Sequence, residues 1–119
     1  MSKTYDPGLH ALGEIFTNDT QLLHTSTDFR AMIDACIAEL GLHKVGEVYH
    51  DFPGGGFTAV ICLTESHLSI HTWPEFGRAT LDVFLSNYQQ VNDDKARAIF
   101  DLCKAFFKAE IRNYHELKR

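Results

Sequence analysis

The segment Phe57–Leu63 constrains the fold more than any other stretch of the chain. Its residues alternate with the two-residue period of a β-strand: Phe57, Ala59, Ile61 and Leu63 point one way, and Thr58, Val60, Cys62 and Thr64 the other. The second set is not very polar. A strand with two semi-apolar faces belongs to a sheet covered on both sides. Helices can cover one side, and a second subunit the other.

The rest of the chain supplies both kinds of element. Leu9–Phe16 reads as a strand. Residues 27–40 form the clearest helix, because Phe29, Met32, Ile33, Cys36, Ile37 and Leu40 recur on one face. Ser26 or Thr27 is placed to cap its start and Gly41 its end. Residues 45–52 read as a strand and lead into Pro53-Gly54-Gly55-Gly56, which reads as a flexible hairpin connection. A phosphate cradle is a poorer reading of that loop: no Gly-Lys-Ser/Thr follows, and the next segment alternates instead of opening a helix. Residues 66–72 and 79–85 are further strands, and Trp73-Pro74 argues against helix between them. Asn92 or Asp93 opens a second helix with the stripe Ala96, Ile99, Phe100, Cys103, Phe106 and Phe107, and residues 111–117 suit a last strand. Runs of strands with two helices and no regular βαβ alternation predict an α+β fold, its mainly antiparallel sheet carrying both helices on one face.

At 119 residues the chain is expected to be one domain over 1–119, with an ordinary globular balance of 45% hydrophobic and 23% charged residues. The net charge is −5, and Lys and Arg cluster nowhere but at Lys118-Arg119, which argues against a nucleic-acid partner. No apolar run reaches the roughly 18 residues of a membrane span, and residues 1–7 lack the apolar core of a signal peptide, so the expected location is the cytoplasm. Cys36, Cys62 and Cys103 form no Cys-x-x-Cys, and each is expected to be a small buried hydrophobe.

The chemistry concentrates in Thr64-Glu65-Ser66-His67-Leu68-Ser69-Ile70-His71-Thr72-Trp73-Pro74-Glu75. His67 and His71 would share a zinc ion on a helix, but in a strand they stand roughly 13 Å apart. No metal site is expected. A hydrolytic set of Ser66, His71 and Asp82 lacks the Gly-x-Ser-x-Gly elbow. Residue by residue, the stretch also reads as a plain polar-faced strand.

Taken jointly, Glu65-Ser66-His67, Ile70-His71-Thr72-Trp73-Pro74-Glu75-Phe76-Gly77 and Leu81-Asp82-Val83-Phe84 closely resemble the core of the small prokaryotic S-adenosylmethionine decarboxylases, and Pro7-Gly8-Leu9-His10 resembles that family's opening. The resemblance spans most of the chain. It implies a zymogen that cuts itself between Glu65 and Ser66. The Ser66 hydroxyl attacks the Glu65 carbonyl, and the resulting ester is eliminated and hydrolysed to leave a pyruvoyl group at residue 66. His71 matches the family's processing base, and Thr58 falls where a serine usually assists. The pyruvoyl ketone forms a Schiff base with the substrate amine and serves as electron sink, the part that pyridoxal phosphate plays elsewhere. Phe52 corresponds to an aromatic that stacks on adenine and Glu75 to the carboxylate that holds the ribose hydroxyls. Spermidine biosynthesis would use the decarboxylated product. His71 lies five residues from Ser66, about 16 Å along a straight strand; the resemblance implies a homodimer with facing sheets, in which both subunits contribute to each site.

Two features depart from the family pattern. Ser86 stands in Leu85-Ser86-Asn87, where the family has the cysteine that reprotonates the substrate carbon, and the loop before Thr58 is unusually rich in glycine. Decarboxylation of ornithine or arginine on the same scaffold, and a non-catalytic regulatory role, are the alternatives these departures leave open.

Overall fold

The computed structural model describes residues 4–119, so the first three residues of the stretch read for a signal core lie outside it. Six strands, β1 (Leu9–Phe16), β2 (Lys44–Asp51), β3 (Phe57–Leu63), β4 (Ser66–Trp73), β5 (Arg78–Leu85) and β6 (Glu110–Lys118), form one sheet in the order β2-β3-β4-β5-β1-β6. Every neighbouring pair is antiparallel. Two helices, α1 (Thr27–Glu39) and α2 (Asp93–Phe107), complete the α+β fold. Short 3-10 turns at Gln21–Leu23 and Pro74–Phe76 were not legible as regular elements. Among the described residues no helix is long and apolar enough to cross a membrane.

The period-two pattern divides the sheet as expected. Leu9, Ala11 and Ile15 of β1, Phe57, Ala59, Ile61 and Leu63 of β3, Leu68 and Ile70 of β4, and Ala79, Leu81, Val83 and Leu85 of β5 are all buried. They meet Phe29, Ile33, Cys36 and Ile37 of α1 and Ala96, Ile99, Phe100, Cys103 and Phe107 of α2. Phe29 links the two helices and the sheet: its ring lies 5.6 Å from that of Phe57 and stacks on that of Phe107 at 6.0 Å. Burying one such side chain stabilises the fold by about 1.5–3 kcal/mol, so this aromatic knot outweighs any surface ion pair.

Among the described residues, no helix or further strand covers the opposite face of the sheet. Pairing registers set its side chains in rows: His50, Thr58, His71, Thr80, Glu14 and Arg112; then Val48, Val60, Ser69, Asp82, Leu12 and His115; then Cys62, His67, Phe84, His10 and Leu117. Val48, Val60, Trp73 and Leu117 are exposed there. Cys62 is exposed too, contrary to the expectation of burial; Cys36 and Cys103 are buried. The reason is strand alternation, which puts Cys62 on the uncovered face with Thr58 and Val60.

One local expectation also needs correction. The Ser26 side chain makes no capping bond; its N–H donates to the Asp51 carboxylate at 3.0 Å, tying the start of α1 to the end of β2. The glycine loop is a hairpin connection whose end packs against the residues before α1. Gly56 N–H donates to the His24 carbonyl at 2.9 Å, and at Gly55, where φ is +101°, an added Cβ would come within 2.6 Å of the His24 ring.

Candidate active site

The Thr64-Glu65 pair is the two-residue turn of a β-hairpin, since Leu63 of β3 and Ser66 of β4 are paired. Such turns favour Gly or Asn, which tolerate positive φ. Neither occurs here, and the positive φ falls on Ser66 itself, at +140°. For a residue with a Cβ this is a sparsely populated conformation, costing of order 1–3 kcal/mol. It persists because the turn is held on both sides. The Glu65 carbonyl accepts the Ser86 N–H at 2.7 Å. The Glu65 carboxylate accepts the His43 N–H at 3.1 Å and pairs with His43 Nδ1 at 2.9 Å. Thr64 N–H donates to the His43 carbonyl at 2.8 Å.

Ser86, just past β5, is fixed by a buried amide network. Its carbonyl accepts Asn92 Nδ2 at 2.9 Å. Asn87 Oδ1 accepts the Asn92 N–H at 2.7 Å, and Asn87 Nδ2 donates to the Pro7 carbonyl at 2.9 Å and to Asp93 at 2.8 Å. The glycine of Pro7-Gly8-Leu9-His10 packs against the same spot: an added Cβ would sit 2.4 Å from the Leu85 carbonyl oxygen and 2.9 Å from the Ser86 Cα. Only glycine fits so close a backbone approach. Beside Glu65 and Ser86 lies a cavity of about 530 Å³, also lined by His43, Tyr88 and Asn92.

The other candidates gather at the far end of β4. Thr58 and His71 are paired across β3 and β4, and Thr58 Oγ1 is hydrogen-bonded to His71 Nδ1. That bond fixes the ring and leaves Nε2 as the nitrogen without a partner in the protomer's described residues. Phe52 is half exposed beyond β2, its ring 4.7 Å from that of His50 in the Thr58–His71 row. Its N–H and carbonyl close the glycine loop through Gly56 and Gly55. Glu75 is exposed on the turn Pro74–Phe76 that follows β4.

One protomer therefore presents two groups: Glu65, Ser66 and Ser86 at one end of β4, and Thr58, His71, Phe52 and Glu75 at the other. Ser66 and His71 are five residues apart on an unbroken strand, about 16 Å. The hydrolytic set of Ser66, His71 and Asp82 fails on the same separation.

A family model described as S-adenosylmethionine decarboxylase matches residues 9–119. The chain belongs to this family. A proenzyme of that name from Archaeoglobus fulgidus is 32% identical over 112 residues, which are 94% of this chain and 96% of that protein. Another, from Aquifex aeolicus, is 39% identical over 84 residues; these are 71% of this chain but only 61% of the relative, so that alignment spans about three fifths of its length. The crystal structure of the adenosylmethionine decarboxylase from Aquifex aeolicus superposes with a TM-score of 0.79 at 28% identity, covering 98% of this chain and 91% of that one. Family membership carries the expectation of a pyruvoyl-dependent proenzyme, and the α+β sheet with two helices is the fold of the Aquifex structure.

Sequence reasoning missed His43, Asn92 and the close packing of Gly8. His43 precedes a strand 22 residues before its partner Glu65, and no local spacing announces that pairing.

The Glu65 carboxyl is a sensor of this arrangement. Partial burial pushes its pKa up, but hydrogen bonds from the His43 imidazole and amide, the Thr64 hydroxyl and its own amide outweigh burial and hold it below the ordinary glutamate range. A depressed folded pKa stabilises the fold above the unfolded value of about 4.3, and that contribution is lost as pH falls through the folded value. In a Ser66→Ala background, Glu65→Gln is therefore expected to lower the urea midpoint at neutral pH, and the gap from its parent to narrow below about pH 4.3. A gap that stays constant into acid contradicts the clamp.

Proposed function

We propose that this chain is a self-processing decarboxylase that acts on S-adenosylmethionine in the cytoplasm and supplies the aminopropyl donor for spermidine. The observation that carries the reading is the scissile geometry: a strained Ser66 whose preceding carbonyl already accepts the Ser86 N–H at 2.7 Å. That amide polarises the Glu65 carbonyl and would hold the negative charge that develops when Ser66 Oγ attacks. The attack forms the Oγ–C bond, breaks the Glu65–Ser66 C–N bond and passes the hydroxyl proton to the freed amine. Relief of the strained φ favours this shift. Removal of the Ser66 α-proton then expels Glu65 as a carboxylate. Water hydrolyses the remaining dehydroalanine to a pyruvoyl group and ammonia.

Residue 66 fits the pyruvoyl group, which would supply an electron sink for decarboxylation, because it is only partly buried and the residue before it, Glu65, lines an open cavity together with Ser86. His71 is the proposed processing base, held by Thr58. It comes from a second copy, since its own Ser66 is a strand's length away. The uncovered sheet face, with Val48, Val60, Trp73 and Leu117 exposed, supports a homodimer in which two such faces meet. That pairing brings the Ser66 end of one copy to the His71 end of the other. Phe52 and Glu75 accompany His71 and favour a nucleoside: an aromatic plane for the base and a carboxylate for two neighbouring hydroxyls.

Ser86 is the weak point of the proposed turnover. A thiol titrates near 8.5, and an aliphatic hydroxyl is a far weaker acid. Slow turnover is expected, with occasional protonation of the pyruvoyl carbon instead of the substrate carbon.

Three measurements test this reading. Denatured mass spectrometry of purified wild type should give fragments 1–65 and 66–119, whose masses sum to the intact chain plus water less ammonia, while Ser66→Ala stays whole, folded and inactive. An unbroken wild-type chain that never changes mass overturns the reading. The decarboxylated nucleoside should be the product; putrescine from ornithine or agmatine from arginine would move the activity to a basic amino acid. Ser86→Cys should raise turnover by about tenfold or more. An unchanged rate would show that another group donates the proton.

A further inference from the structure

The clamp on Glu65 extends the proposed self-cleavage to His43, a residue outside the set that performs it; the role inferred for His43 rests on that proposed function. Both oxygens of the Glu65 carboxylate are engaged by this one residue: Oε1 by its backbone N–H at 3.1 Å and Oε2 by its Nδ1 at 2.9 Å. The Glu65 side chain is only 12% exposed, whereas that of His43 is 70% exposed. The pair is thus a largely covered carboxylate held by a donor reaching in from the surface. It differs from a surface ion pair, whose median worth is about 0–1 kcal/mol. The His43 carbonyl accepts Thr64 N–H, so the residue before β2 is bonded to both residues of the turn.

Three observations converge on the scissile bond. Its carbonyl carbon belongs to Glu65. Its nitrogen belongs to Ser66, whose φ of +140° must be held by its surroundings. The Glu65 carbonyl has a single well-placed partner on the other side, the Ser86 N–H. A two-residue turn without Gly or Asn would relax by rotating Glu65, which would carry its carbonyl off the Ser86 amide and bring Ser66 back to negative φ. The carboxylate clamp opposes that rotation.

We propose that His43 is a positioning residue for self-cleavage: by gripping the Glu65 carboxylate it keeps the scissile carbonyl on the Ser86 amide and Ser66 in its strained conformation. It touches no reacting atom. Its effect is read in the rate of chain scission.

The test tracks full-length protein from a short induction, by denatured mass, for wild type, His43→Ala and His43→Asn. Asn presents an amide nitrogen where His presents Nδ1. His43→Ala should cut about ten- to a hundredfold more slowly, as expected for losing a hydrogen bond to a charged group. His43→Asn should recover most of the wild-type rate of scission. Unfolding of each variant in a Ser66→Ala background separates positioning from folding: a purely structural role would lower the midpoint without rescue of scission by Asn. Should His43→Ala fail to fold, Glu65→Gln carries the test and should also cut slowly. A wild type that is cut while His43→Ala is cut equally fast overturns the role of His43 alone. A wild type that is never cut overturns the proposed function, and the role of His43 with it.

Discussion

The continuous hydrogen bonding of β4 between β3 and β5 is the constraint on which the rest depends. A strand paired with β3 over Ser66–His71 and with β5 over Ser66–Trp73 cannot bend to bring Ser66 and His71 together. It carries a strained serine at one end and a histidine held by a threonine at the other. Within one protomer these groups are about 16 Å apart and cannot share a carbonyl. The strand has one face sealed by α1 and α2 and the other bare, so the chemistry points to the bare face of a second copy.

Much of the fold was legible because its signals are local. The alternation in Phe57–Leu63 specified a strand and its inward residues, and Phe29, Ile33, Cys36 and Ile37 specified the buried side of α1. Strand limits shifted by a residue or so, as at Lys44–Asp51 against 45–52, because fraying ends carry little pattern. Cys62 was misread because apolar character was taken for burial, although its strand parity put it with Thr58 and Val60. The packing of Gly55 and Gly56 on His24 was not legible because that residue lies outside the hairpin. The resemblance named the site residues, but it could not show that they split into two groups or that His43 and Asn92 brace them. Those contacts join residues distant in sequence and depend on register.

The departures from the family acquire physical content from the structure. Under the proposed function, position 86 would serve through its backbone in scission and through its side chain in turnover. Its backbone N–H still meets the Glu65 carbonyl, whatever the side chain, and its place is secured by Asn92, Asn87 and the close approach of Gly8. Self-cleavage is therefore expected to survive the loss of a thiol. Proton delivery during turnover depends on the side chain and is expected to suffer.

The division of one site between two copies is the central claim, and complementation tests it most directly. Ser66→Ala and His71→Ala chains, each inert alone, should when expressed together yield cleaved His71→Ala chains, because that chain keeps its serine and borrows the histidine of its companion. Ser66→Ala chains should stay whole in the same mixture. If co-expression leaves every chain uncut while the two variants do form mixed dimers, Ser66 and His71 do not meet across subunits, and the shared site is contradicted.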